Sequence, residues 1–217
     1  DVNCEFIEQK LYPQLKENPS NIKLAKRIFQ LSLTAKCSDS DFFMEAVEAV
    51  HNAEPTSGLA GIIGRKKLAS EQYQEAIKYL TEAISLETDV TKKAETSLSL
   101  AKAYALSGEK AKARDEAIKA GSLDQSVISG AYNLIATMYM GSYEECKQNV
   151  SQVADRSVFF AAYDAYKKAG NKEGMANAEA QFPTKTEIFE LNLEAGAPIK
   201  VGCWINVTTT VRTRPSE

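Results

Sequence analysis

His51 is the only histidine in this 217-residue chain. It lies late in an expected helix, within Ala49-Val50-His51-Asn52-Ala53. Acid–base chemistry or metal ligation needs partners, and no second imidazole exists to supply one. A histidine near a helix C-terminus is favourable on electrostatic grounds alone, because its cation faces the negative end of the helix dipole. The other reactive side chains are Cys4, Cys37, Cys146 and Cys203. A cysteine nucleophile needs a base to form its thiolate, and His51 is a histidine partner for one cysteine at most. No two cysteines stand at CxxC spacing, so neither a zinc site nor a dithiol redox motif is written. Buried free thiols or two disulfides remain. The even count, with one pair in each half, favours disulfides and an oxidising compartment.

The stretch Gly61-Ile62-Ile63-Gly64-Arg65-Lys66-Lys67 has glycines and cations together, as phosphate loops do. It lacks the full spacing of such a loop, and no strand precedes it. Its glycines are better explained by close helix packing, and its basic run by a solvated face. The carboxylates alternate with lysines, as on exposed helix faces. No pair stands out for acid–base work. The expectation is a protein with no catalytic residues, no metal site and no cofactor.

The elements that must carry these residues are helices. Phe6, Ile7, Leu11 and Leu15 mark one face of a short first helix. Asn18-Pro19-Ser20 breaks it, and Ser20 or Asn21 caps a second helix over 22–35. A third runs from 41 to 53, where Pro55 ends it. From Gly64 to Ala120 one helix-turn-helix pattern is written twice. Gly64 and Ala101 are 37 residues apart, and so are Ala76 and Ala113. Small residues at these places let facing helices approach near the short end of the usual ~8–10 Å range. Ala83 and Ala120 do the same against the next pair, Tyr104 fills the space beside them, and Gly108 fits the turn. Ala136, Tyr139, Gly141 and Tyr143 echo the pattern with a shorter turn, and Phe160, Tyr163, Tyr166, Gly170 and Ala176 echo it again. Helices are expected over 125–140, 142–154, 157–169 and 172–181.

This pattern resembles the tetratricopeptide repeat, whose usual period is about 34 residues. The three additional residues fall near Glu87 to Val90. The resemblance implies an all-α fold, a right-handed α-α superhelix, over residues 1–183. Within it, 1–55 is a degenerate first repeat, 57–122 holds the clear repeats and 125–183 the divergent ones. After Pro183 the character changes. Residues 184–217 form the tail, and Ile199 to Val211 is rich in β-branched residues. A hairpin with arms near 199–204 and 207–212 is expected, with Trp204, the only tryptophan, as its anchor.

The tail sequence Val201-Gly202-Cys203-Trp204-Ile205-Asn206, then Thr208-Thr209-Thr210-Val211-Arg212, resembles the C-terminal signature of a group of bacterial cell-envelope tetratricopeptide-repeat proteins. The stretch from Cys4 through Pro19 and Cys37 to Pro55 is similar to sequence ahead of their repeats. This resemblance implies the periplasm or cell envelope and brings no assigned activity with it. In a bacterial chain the sequons at Asn149 and Asn206 are coincidental. The expected pairing is Cys4–Cys37, which staples the first helix to the turn after the second, and Cys146–Cys203, which ties the tail to the third repeat. The alternative is reduced thiols packed as small apolar groups.

Composition agrees with a folded chain of ordinary kind: 44% hydrophobic, 25% charged, net charge −3. Nothing in it asks for nucleic acid or an anionic membrane. No apolar run approaches the ~20 residues of a membrane span. The start at Asp1, without methionine or leader, reads as a trimmed or mature chain. By the phasing of the resembled repeat, Arg65, Leu68, Glu95, Leu98, Lys102 and Leu106 line a concave face that holds a protein or peptide partner. Some chaperone-binding relatives clamp a C-terminal carboxylate; the matching positions here are Gly61, Arg65, Ser99 and Lys102. The clamp asparagine is missing, so that activity is not expected. The reading is a non-catalytic protein-interaction scaffold, with a small-ligand or glycan-binding module as the alternative.

Overall fold

A computed structural model describes residues 2–215. Asp1, at the head of the expected repeat domain, and Ser216 and Glu217, at the end of the expected tail, lie outside the described residues. Two compact units divide between Asp89 and Val90. That is where the sequence carries its three additional residues.

The first unit opens with α1 (Cys4–Phe6) and α2 (Tyr12–Glu17), joined by a π-helical turn at Ile7–Leu11. Asn3 caps the start by accepting from the Phe6 N–H at 2.9 Å. The π turn lies just ahead of Pro13, whose ring removes a backbone donor. Ile7, Leu11 and Leu15 are buried, so one face of this helix enters the core. Then come α3 (Ile22–Thr34), α4 (Asp41–Ala53), α5 (Ser57–Ala69) and α6 (Tyr73–Leu86). Asn21, Ser40 and Thr56 cap α3, α4 and α5 through their side-chain oxygens. Phe42, Phe43, Val47 and Ile63 lie in one core with the first helix. Cys4 and Cys37 are joined by a disulfide.

Gly64 explains the closeness of α5 and α6. A Cβ there would stand 2.7 Å from Leu80 Cγ and 3.1 Å from the Leu80 backbone nitrogen. Only glycine lets Leu80, which is fully buried, sit at that place.

The second unit contains α7 (Val90–Leu106) and α8 (Lys110–Leu123), joined by a turn in which Gly108 takes φ +87°. A 3-10 turn at Gln125–Val127 leads into α9 (Ile128–Met140). Ala101, Ala113, Ala117 and Ala120 are completely buried, as their phase requires.

The third repeat departs from expectation. In place of one helix over 142–154 the chain forms two single turns, α10 (Tyr143–Cys146) and α11 (Gln152–Asp155). Asn149 adopts φ +57°, which a helix interior excludes. The Asp155 carboxylate accepts from the backbone N–H groups of Gln148 and Asn149 at 2.8 and 3.0 Å, fixing the irregular stretch. The helix that packs on α9 is instead α12 (Ser157–Ala169). Its contact with α9 is as extensive as those inside the pairs α5–α6 and α7–α8. Thus α12 serves as the second helix of the third pair. It ends at Gly170 with φ +71°, and α13 (Lys172–Glu179) packs against it.

A capping box of Thr184 and Glu187 starts α14 (Lys185–Glu190). The strands β1 (Pro198–Val201) and β2 (Val207–Thr210) then pair antiparallel, with Val201 opposite Val207. Both arms are shorter than expected: Cys203 and Asn206 take positive φ and end β1 early, and β2 starts at Val207 as expected but stops at Thr210. An isolated two-stranded hairpin is marginal in water. This one lies on α12, with Val201, Ile205 and Val211 buried. The Trp204 ring is 5.4 Å from that of Tyr139, and its Nε1–H donates to Ser142 Oγ and to Glu145 Oε1, each at 3.0 Å. Cys146 and Cys203 are joined beside it by a disulfide. No helix among the described residues is long and apolar enough to cross a membrane.

Candidate functional site

Of the six expected partner-contacting residues, Arg65 and Leu68 lie on α5 in the first unit, and Glu95, Leu98, Lys102 and Leu106 on α7 in the second. Arg65 is exposed, and its guanidinium lies back along its own helix over Gly61. Leu68 is half-buried. On α7, Glu95, Lys102 and Leu106 are exposed, Leu106 by 58%. Among the described residues none of Arg65, Glu95 and Lys102 has an opposite charge within 4.0 Å. Leu98 is different. Its Cδ2 would be 2.9 Å from a Cβ on Gly130, so it packs toward α9, half-buried against the apolar core.

The other singled-out residues lie in packed parts of the helices. His51 is buried, with Nε2 3.2 Å from Glu82 Oε1 and its ring edge-on to Tyr79. The glycines at 61 and 64 sit inside α5, where a phosphate has no place. Among the described residues no three His, Cys, Asp or Glu side chains gather to hold a metal ion.

What the sequence reading missed is a cavity of about 550 Å³ in the second unit. Tyr132, Ile135 and Tyr139 line it from one face of α9. Arg114 and Ile118 contribute from α8, and Ala161, Asp164, Ala165, Lys167 and Lys168 from α12. Val207 and Thr208 of β2 complete it. Matching Ala136 to Ala101 puts Thr137 at the place of Lys102, so the cavity lies toward another face of the helix pairs than the exposed α7 stripe.

Two charged posts hold the hairpin beside this cavity. Arg114 donates through Nη1 to the carbonyl oxygens of Ile205 at 2.6 Å and Trp204 at 3.2 Å. Asp164 accepts from Arg212 Nη2 at 2.6 Å and from Thr209 Oγ1 at 2.5 Å. The Arg212 guanidinium also lies 5.0 Å over the Tyr163 ring. Burial pushes the Tyr139 hydroxyl above the ordinary tyrosine pKa, although Arg114 pulls it the other way. Tyr139 therefore stays neutral at any physiological pH. Lys167 and Lys168 are exposed, and Lys168 Nζ lies 5.0 Å from the Tyr132 ring centroid. The signal for this cavity was the Tyr132, Ile135, Tyr139 spacing, one helix face written in large side chains.

No protein-family model matches the chain, and no curated protein matches it. Two crystal structures of MamA do. The first shares 22% identity at a TM-score of 0.53, covering 78% of this chain and 86% of MamA. The second gives the same identity and TM-score over 75% and 79%. The fold is a tetratricopeptide-like helical solenoid. At this identity the likeness to MamA speaks for the fold alone.

Proposed function

We propose that the protein is a non-catalytic interaction scaffold whose exposed α5 and α7 faces contact a protein partner. The observation that carries this is the α7 stripe of Glu95, Lys102 and Leu106. It holds an apolar side chain left 58% exposed beside a lysine with no acidic partner within 4.0 Å among the described residues. Arg65 supplies a similar exposed cation on α5, again with no acidic partner within 4.0 Å among the described residues. A partner segment with an acidic residue and an apolar anchor suits such faces. Both disulfides fit an oxidising compartment, and the cell envelope is the proposed location. Charge reversal tests the reading. Lys102→Glu and Arg65→Glu, each exposed, should change stability by only ~0–1 kcal/mol. Each should weaken association with the native partner, and wild-type association should fall with added salt. Unchanged association in both variants contradicts it.

A second reading is favoured by the cavity under the hairpin: a module that binds a small ligand. Its volume lies within the range of about 300–1,000 Å³ usual for ligand sites.

A further inference from the structure

We propose that the cavity of the second unit binds a small organic anion, an apolar body carrying one carboxylate. The proposal rests on the ligand-binding reading, not on the scaffold reading.

The apolar body follows from the walls. Ile118, Ile135 and Val207 are aliphatic, and Tyr132 and Tyr139 present ring surface. Ala161 and Ala165, one turn apart on α12, are too short to fill the space between them. The space also cannot close by movement of the hairpin, which is fixed by the Cys146–Cys203 disulfide and by the Arg114 and Asp164 posts.

The anion follows from the charges. Lys167 and Lys168 stand at the lining, and neither has an acidic side chain within 4.0 Å among the described residues. The one carboxylate at the lining, Asp164, is already matched by Arg212. It therefore does not cancel the lysines. Arg114 adds a third cation, partly engaged by Asp115. A positive rim over an apolar, partly desolvated floor favours an amphipathic anion and disfavours the equivalent cation. Lys168 is held over the Tyr132 ring, which limits the freedom it must lose on binding.

The probe is decanoate, compared with decanol and decyltrimethylammonium, on the intact chain with its disulfides formed. Titration calorimetry measures affinity. Trp204 fluorescence is the second readout, because its ring lies against Tyr139. Decanoate should bind with Kd on the order of 10–100 µM, as expected for a ligand of this size. Decanol should bind more weakly and decyltrimethylammonium most weakly. Thr208→Phe, at an exposed lining position, should remove binding of all three, with an unchanged helical spectrum showing that the fold is kept. The double change Lys167→Glu and Lys168→Glu should weaken decanoate by about tenfold and leave decanol nearly unaffected. Equal affinity for the three probes overturns the anion claim and leaves the ligand reading standing. Decanoate binding that survives Thr208→Phe places the ligand elsewhere and overturns the proposal. If none of the probes binds, both the proposal and the ligand reading fall.

Discussion

The Arg114 guanidinium on α8 lies 2.6 Å from the main-chain carbonyl oxygen of Ile205 in the hairpin turn. A charged donor thereby satisfies a carbonyl whose residue is wholly buried. Hydrogen bonds of this kind contribute about 1.5–3 kcal/mol, and an orphaned buried acceptor costs about as much. Arg114→Ala should lower unfolding free energy by roughly 2 kcal/mol. It should also shift Trp204 emission to the red, since the neighbouring turn loses its hold. Denaturant titration read by fluorescence gives both numbers, and an unchanged midpoint and emission maximum would remove Arg114 as a post.

Gly64 is a second sensitive point. The methyl of Gly64→Ala would meet the Leu80 backbone as well as its side chain, so no rotamer change relieves it. Overpacking of this kind costs about 1–3 kcal/mol. Gly58→Ala, in the same helix with open space around it, should be neutral or slightly stabilising. Thermal melts of the two variants separate a packing requirement from helix propensity.

The disulfides close loops of 33 and 57 residues. On the chain-entropy account, removing either one to paired serines should cost about 4 kcal/mol. The consequences should differ in place. Loss of Cys4–Cys37 should raise amide exchange in the first helix, and loss of Cys146–Cys203 should raise it in the hairpin. Hydrogen exchange that rises equally across the chain in both variants would contradict this.

The second unit also carries a pH dependence. The Lys110 ammonium, with smaller help from Ser142 and Trp204, holds the Glu145 carboxyl below the usual carboxylate range. The backbone N–H of Thr184 does the same for Glu187. A lowered folded pKa gives stability that is fully present above the unfolded value, about 4.3 for glutamate. That stability is lost as pH falls through the lowered folded value. The melting temperature should therefore be insensitive to these groups near neutrality and fall below about pH 4. Glu145→Gln should flatten part of that acid limb, and a variant with the wild-type slope would argue that Glu145 contributes nothing.

Much of the fold was legible because it is local. Pro55 follows the end of α4, Gly170 stops α12, and the matched alanines announce close pairs, although the residue that caps α4 is Ser40 and not the Cys37-Ser38-Asp39 turn that the sequence suggests. The third repeat was not legible, because Tyr143 and Cys146 write a helix start that the chain abandons. What ends it is Asn149 in a left-handed conformation and Asp155 capturing two backbone N–H groups. Trp204, far along the chain, takes the adjoining space against Tyr139 and Ser142. The cavity was hidden for the same reason. Its posts pair Arg114 with Ile205 and Asp164 with Arg212, partners that no periodicity connects. Leu98, given to a groove by phase, is half-buried and packs beside Gly130, whose missing side chain leaves room for it.

The scaffold account is tested most directly by photocross-linking in the native cell. A benzophenone amino acid is placed at Leu106, at Arg65 and, as a control, at exposed Lys119 on α8. The account predicts a discrete adduct from Leu106 or Arg65, suppressed by salt, and none from Lys119. Adducts from Lys119 alone, with none from Leu106 or Arg65, would contradict it.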